Sequence, residues 1–265
     1  MFNNAEQPIL CTPLKPLSLT TALAKLSICP TSKLFSKMPT VIVTGANSGI
    51  GQAFAQILVK EGYKVIAADI TIGDPIKSLG CENIQLDVAS PESIQSFKSQ
   101  VGDQPVDLLL NIAGVMAPHG QDTLSTVNAD TLHRTFTINT FGPLLLTQAL
   151  LPNLFAASHA RVAVMSSRMG SIADNSSGGQ YAYRGSKAAV NAFFKGLAVD
   201  LKPKNVTVVL LHPGIVKTNL GGADLEVEGA VMPDEAAGQL WRVLMSKGLE
   251  STGRWWHRNG EELPW

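Results

Sequence analysis

The sequence predicts an α/β fold built as one doubly wound parallel sheet with helices on both faces. Three observations lead there. First, an apolar run, Val41-Ile42-Val43, enters the glycine turn Thr44-Gly45-Ala46-Asn47-Ser48-Gly49-Ile50-Gly51, and a helical pattern with Phe54, Ile57 and Leu58 leaves it. Second, short β-rich runs and helical stretches alternate along the rest of the chain, which is the pattern of a parallel sheet. Third, Val106 to Leu110 is broken only by Asp107, as suits a strand covered on both faces.

The elements follow in order. Residues 40–44 form the first strand and 49–61 its helix, which Gly62 ends. Residues 64–69 form strand two, and an irregular stretch with Asp74-Pro75 comes next. Residues 83–86 make strand three, and 91–101 a helix with proline at its start, where a missing N–H costs nothing. Strand four is 106–110, and a long helix is expected over 130–157, bent near Pro143. Strand five is 161–165, helix 180–201 stops at Pro203, and strand six is 206–211. Helix 233–245 precedes a last short strand at 254–256. There is no internal repeat and no sign of a second domain.

Residues 1–37 read differently. Glu6 is their only acid, and Lys15, Lys25, Lys33 and Lys37 stand among serines, threonines and prolines without a clean period. Two readings stay open: an organellar transit segment, or else a disordered extension or an upstream start codon ahead of a natural start at Met38. The domain is therefore placed at 38–265. Starting the chain at Met38 is expected to leave melting and cofactor binding unchanged.

Composition bounds the function. Of 265 residues, 45% are hydrophobic and 16% charged, with a formal net charge of +0. Neither a basic field for nucleic acid nor a membrane-spanning run is implied. Cys11, Cys29 and Cys81 show neither a disulfide framework nor a metal spacing, so no metal is expected and a reducing compartment is. That places the protein in the cytoplasm, or in a plastid or mitochondrion if residues 1–37 are a transit peptide.

The glycine turn carries binding chemistry. Gly45 allows the tight turn, Gly49 lets a pyrophosphate approach the backbone, and Gly51 lets the helix pack on the strand. The helix start offers free N–H groups and a positive dipole end to phosphate. Asp69 ends strand two, about 20 residues beyond the turn, where a dinucleotide fold places an acid on the ribose 2′-OH. Its carboxylate would repel a 2′-phosphate, and Asn47 is neutral, so NAD is expected in preference to NADP. Asp87, after strand three, either touches the adenine edge or caps the helix that follows.

Tyr183 and Lys187 lie four apart and so share a helical face. A serine pair, Ser166-Ser167, precedes them at the end of strand five, and Asn139 lies in the preceding long helix. With Asn111-Ile112-Ala113-Gly114 and Pro213-Gly214 with Thr218, these motifs stand in an order that resembles the short-chain dehydrogenase/reductase family in its single-domain form. The match runs from about Met38 to the C-terminus and implies a Rossmann-like fold. Segment 166–180 and the ending after Gly253 are similar to the branch containing C-factor and sniffer-type carbonyl reductases.

The resemblance implies roles. Tyr183 is the general acid in reduction and the base in oxidation, its phenol brought down from a pKa near 10 by the Lys187 ammonium and the oxidised nicotinamide. Lys187 also holds the nicotinamide ribose. Ser167 polarises the substrate carbonyl, with Ser166 as runner-up; Gly170 three residues on favours Ser167. Asn139 keeps a water in a proton relay to Lys187. The implied cofactor set is Gly45, Asn47, Ser48, Gly49, Ile50, Gly51, Asp69, Asp87, Val88, Asn111, Ala113, Gly114, Tyr183, Lys187, Pro213, Gly214, Val216 and Thr218. Within it, Asn111 is expected to brace the central sheet, and Pro213-Gly214 with Thr218 to anchor the carboxamide.

Two departures stand out. Ile112 replaces the family's usual second asparagine, and the spacing from Ser167 to Tyr183 is longer than in much of the family. His212, beside Pro213, is read as a site wall or a satisfied histidine.

The expected function is an oxidoreductase passing a hydride between a nicotinamide cofactor and a small-molecule carbonyl/alcohol substrate. The alternative is a dinucleotide-binding regulatory or signalling protein of the same fold. Helices 130–157 and 180–201 carry apolar and small residues on more than one face, and family members pair such helices, so a homodimer or homotetramer is expected. A lid over the substrate is expected within 215–232.

Overall fold

A computed structural model of the chain describes residues 38–220 and 228–265. The readings of segment 1–37, and of the part of the expected lid over 221–227, fall outside the described residues.

Among the described residues, seven strands form one parallel sheet in the order β3-β2-β1-β4-β5-β6-β7. They are β1 (Thr40–Thr44), β2 (Lys64–Asp69), β3 (Glu82–Gln85), β4 (Leu108–Asn111), β5 (Arg161–Met165), β6 (Thr207–His212) and β7 (Arg254–His257). The helices are α1 (Gly49–Lys60), α2 (Asp74–Lys77), α3 (Pro91–Val101), α4 (Ala129–Phe136), α5 (Gly142–Ala149), α6 (Leu151–Phe155), α7 (Tyr181–Leu201) and α8 (Pro233–Met245). The strand order reverses between β1 and β4, so a crevice opens there at the C-terminal strand ends.

Two apolar layers sandwich the sheet. Alternate residues of one strand serve opposite layers: Ile42 joins Phe97, Leu146, Phe194 and Trp255, while Val41 and Val43 join Phe54, Leu58, Leu240 and Trp256. Val41, Ile42, Leu109, Leu110, Val162 and Leu210 are fully buried, as the unbroken apolar runs of the central strands require.

Gly51 fixes how α1 meets the sheet. A Cβ there would stand 2.2 Å from the Gly45 carbonyl oxygen, so any side chain would push helix and turn apart. Thr44 ties β1 to the turn after β4: its hydroxyl oxygen accepts the Ile112 and Ala113 N–H groups, each at 3.0 Å. This draws the two halves of the crevice together.

The structure corrects three expectations. The long helix over 130–157 is α4, a π-helical turn at Thr137–Phe141, α5 and α6. The breaks have chemical causes: Pro143 and Pro152 lack the N–H that would reach back to Asn139 and Gln148, and the Gly142 N–H bonds to the Thr137 carbonyl in π fashion. The irregular stretch at Asp74-Pro75 contains the short helix α2. Strand β3 begins one residue earlier than the apolar pattern marks, at Glu82. Among the described residues no helix is long and apolar enough to cross a membrane.

Candidate active site

A cleft of about 730 Å³ occupies the crevice. Its floor is the glycine turn, its far end is Asp69, Asp87 and Val88, and its near end is Ser167, Tyr183, Lys187 and Gly214. Ser48, Ile50, Ala113, Gly114, Pro213, Val216 and Thr218 also line it.

At the turn, Ser48 is the N-cap of α1, yet its side chain caps no amide and the first turn carries no acid. The helix start therefore presents uncompensated N–H groups and a positive dipole end to the cleft. Asp69 faces the other end of that floor. One of its carboxylate oxygens accepts the Asn47 N–H at 3.0 Å and the other the Thr71 N–H at 3.1 Å, which fixes the carboxylate at the cleft edge.

Three predicted residues stand behind the cleft instead of lining it. Asn47 braces the site: besides its amide bond to Asp69, its Oδ1 accepts the Ile76 N–H. Asn111 is buried and donates to the Thr147 hydroxyl at 3.3 Å, between the sheet and α5. Asn139 is buried in the π turn. Its amide accepts the Val115 N–H and donates to the Val115 carbonyl, each at 2.8 Å, and donates to the Ser186 hydroxyl at 3.0 Å. Asp87 accepts the Ala89 N–H at 2.8 Å, while Ser90 caps α3. Ile112 packs with the α1-side core, as its apolar side chain favours.

Helix α7 presents Tyr183 and Lys187 to the cleft from one face, both buried. Lys187 Nζ donates to the Met165 carbonyl at 2.8 Å and stands 5.7 Å from the centroid of the Tyr183 ring. Burial lowers the Lys187 pKa to about 8. It raises that of Tyr183, and a hydrogen bond from Ser167 pulls the phenol only part of the way back. This direction is opposite to the lowering expected from Lys187: in the protein alone, desolvation sets the shift.

The serine pair divides its labour. Ser166 turns inward and donates to Asn191 Oδ1 at 2.6 Å. Ser167 meets Tyr183, and its hydroxyl oxygen accepts the Met169 N–H at 3.2 Å. The turn that carries it lies hard against α7: a Cβ on Gly170 would stand 2.6 Å from the Lys187 carbonyl carbon. His212 steadies the same turn, its Nδ1 accepting the Arg168 N–H at 3.2 Å. Burial, helped by His257, Arg168 and Arg258, drives the His212 pKa down to about 3, so the ring is a neutral acceptor.

Sequence reasoning missed Asp122, whose carboxylate reaches the first turn of α7 from a distant loop. A signal existed: Gly178-Gly179-Gln180 offers that helix no Ser, Thr, Asp or Asn as its own cap. At the base of the expected lid, Val216 bridges Val231, and Lys217 N–H donates to the Val231 carbonyl at 2.9 Å.

The residues present fit a nicotinamide dinucleotide. The helix start suits a diphosphate, Asp69 a ribose diol, and Gly114 leaves open a cradle that a Cβ would fill, 3.2 Å from Asn139 Oδ1 and 3.5 Å from Lys187 Nζ.

Comparison with known proteins points to one family. The family model described as short chain dehydrogenase matches residues 39–228. The chain is 43% identical over 172 residues to C-signal of Myxococcus xanthus, covering 65% of this chain and 100% of that one. It is 35% identical to 1-hydroxy-2-glutathionyl-2-methyl-3-butene dehydrogenase of Rhodococcus sp. (strain AD45), covering 86% of this chain and 100% of the relative. The crystal structure of NADPH-bound carbonyl reductase from chicken fatty liver superposes with a TM-score of 0.79 at 31% identity, covering 86% of this chain and 99% of that one.

Proposed function

The chain belongs to the short-chain dehydrogenase family of NAD(P)-dependent oxidoreductases, and on that premise we propose that it interconverts a carbonyl and an alcohol with Tyr183 as the proton carrier. The observation that carries the reading is the buried convergence of Tyr183, Ser167 and Lys187 at one end of a cleft whose other end fits a dinucleotide.

The bound nicotinamide supplies a hydride in reduction, accepts one in oxidation, and when oxidised brings a positive charge into the cleft. The protein does the rest. Ser167 donates a hydrogen bond to the substrate oxygen and stabilises negative charge as it develops there. Tyr183 gives its phenolic proton to that oxygen in reduction and takes the alcohol proton in oxidation. Lys187 replenishes the proton, because its pKa of about 8 leaves it near balance at working pH. Asn139 serves through its backbone. Pro143 has no N–H for the Asn139 carbonyl, which supports a role in holding a relay water toward Lys187.

We infer NAD over NADP from Asp69, although the chicken relative was solved with NADPH. A homodimer or homotetramer is supported by exposed Phe141 in the π turn, Leu145 in α5 and Phe193 in α7, with the two phenyl rings stacked at 6.5 Å. A cytoplasmic setting remains part of the same proposal.

A second reading has one observation in its favour: C-signal, whose name denotes signalling, matches over its whole length. Retention of both Tyr183 and Lys187 favours the enzyme. Absorbance at the reduced-nicotinamide band with a panel of ketones and alcohols separates the two. Turnover supports the oxidoreductase, and silence across the panel supports the regulatory protein.

A further inference from the structure

Helix α7 carries the proposed proton carrier in its first turn, yet begins without a cap of its own. Its N-cap residue, Gln180, is in the left-handed region at φ 52° and makes no side-chain bond to the turn. Gly178 and Gly179 before it are also at positive φ, 63° and 66°. Three left-handed residues in a row give a sharp entry but no acceptor for the first amides, and buried amides without acceptors are costly.

The acceptors come from 60 residues away. Asp122 Oδ1 accepts the Ala182 N–H at 2.8 Å, and Oδ2 accepts the Tyr183 N–H at 3.0 Å. The Asp122 backbone carbonyl accepts the Gln180 N–H at 2.8 Å. One residue thus satisfies three amides of the entry, including that of Tyr183 itself. Asp122 has no exposed surface, and none of the ion pairs among the described residues includes it. A carboxylate buried without a cation is costly unless fixed dipoles compensate it. The positive end of a 21-residue helix supplies such dipoles.

The loop that presents Asp122 is itself braced. Thr126 Oγ1 donates to the Gly120 carbonyl at 2.7 Å and accepts the Thr123 N–H at 3.1 Å. Gln121 N–H donates to the Pro118 carbonyl, and Val127 N–H to the Thr123 carbonyl. At its start the loop is pinned by Asn139, which clasps both backbone groups of Val115. Met116 and Pro118 of the same loop line the cleft. A single rigid segment therefore forms part of the cleft wall and holds the helix end that bears Tyr183.

We propose that Asp122 is a positioning residue: a non-local cap that sets the height and rotation of the first turn of α7, and so the place of the Tyr183 hydroxyl against Ser167. The proposal rests on the reading of Tyr183 as proton carrier. It explains why an acid is sealed in a region that needs no charge for packing. It also couples the cleft wall to the reacting group, so that substrate contact with Met116 and Pro118 is felt at Tyr183.

The test compares wild type, Asp122→Ala, Asp122→Asn and, as a control for loss of an ordinary cap, Ser90→Ala in α3. Each is measured for turnover, NAD affinity, melting, and hydrogen exchange at the Ala182 and Tyr183 amides. Asp122→Ala is expected to lower kcat by about 10- to 100-fold, as an ångström-scale misplacement does. NAD affinity should stay within about threefold, since the diphosphate floor is elsewhere. Exchange at Ala182 and Tyr183 should accelerate, while Ser90→Ala should lower melting and leave kcat alone. In a Tyr183→Phe background, Asp122→Ala should cost nothing more, because its effect passes through the hydroxyl already removed.

Asp122→Asn keeps the volume and one acceptor, so its loss should be smaller; it decides the matter if the alanine chain does not fold. An unchanged kcat in a folded variant, or an equal loss with and without the Tyr183 hydroxyl, would overturn the proposal. The exchange arm needs no turnover. An inactive wild type whose Ala182 and Tyr183 amides are released in Asp122→Ala would defeat the oxidoreductase reading while showing that the tether exists.

Discussion

Ser166 gives its hydroxyl to Asn191 Oδ1 at 2.6 Å, inside the contact between β5 and α7. The bond commits that serine to holding strand and helix together and leaves its neighbour to face Tyr183. Ser167→Ala should lower turnover by about 10²-fold or more through loss of oxyanion stabilisation, with melting little changed. Ser166→Ala should strand a buried acceptor, cost about 1–3 kcal/mol in denaturant unfolding, and leave kcat near wild type. Steady-state rates and urea titrations of the two variants check the division; the reverse assignment of effects would contradict it.

The choice of cofactor turns on Asp69. Its carboxylate is held in place by the Asn47 and Thr71 amides, so it cannot swing from a 2′-phosphate without giving up both bonds. NADP is expected to bind more weakly than NAD by on the order of 1–3 kcal/mol. Asp69→Ala should narrow the gap from both sides, weakening NAD and improving NADP. Equilibrium titration with both cofactors decides it, and comparable Kd values for the wild type would contradict the charge argument.

Two buried bases make stability rise with pH in two separate windows. His212 has a folded pKa of about 3 against an ordinary value of 6.5. Between these values the unfolded chain binds the proton more readily, so stability is lost as pH falls from 6.5 toward 3, by on the order of a few kcal/mol. Lys187, lowered from 10.5 to about 8, makes the unfolded chain the better proton binder in that window, so its burial penalty fades as pH rises through it. His212→Gln should flatten the acid limb, and Lys187→Met the alkaline limb, of unfolding free energy against pH. A Lys187→Met protein with the wild-type alkaline slope would contradict the burial argument.

Much of this was legible in the chain because the signals are local. Val41-Ile42-Val43 entering a glycine turn marks the first βα unit, and the four-residue spacing of Tyr183 and Lys187 fixes a shared face whatever the fold around them. What was not legible depends on tertiary partners. The helix over 130–157 reads as one element bent near Pro143 because its apolar period continues; the π turn beside Pro143 agrees with the bend, while the second break, at Pro152, was not read. Asn47 sits within the turn expected to bind phosphates, yet its amide is spent on Asp69 and its side chain on Ile76. The direction of the Tyr183 shift follows from how deeply α7 is packed, which the sequence pattern does not display. Asp122 stands in an unremarkable polar loop; only the fold brings it to the end of α7.

The most direct test of the central claim is turnover and cofactor binding of Tyr183→Phe, measured side by side. The substitution removes one hydroxyl from a buried ring, so folding and NAD affinity should match the wild type. Carbonyl reduction should fall by about 10²- to 10⁴-fold. A folded, NAD-binding Tyr183→Phe protein that reduces carbonyls at the wild-type rate would contradict the account, because the proton would then come from another group.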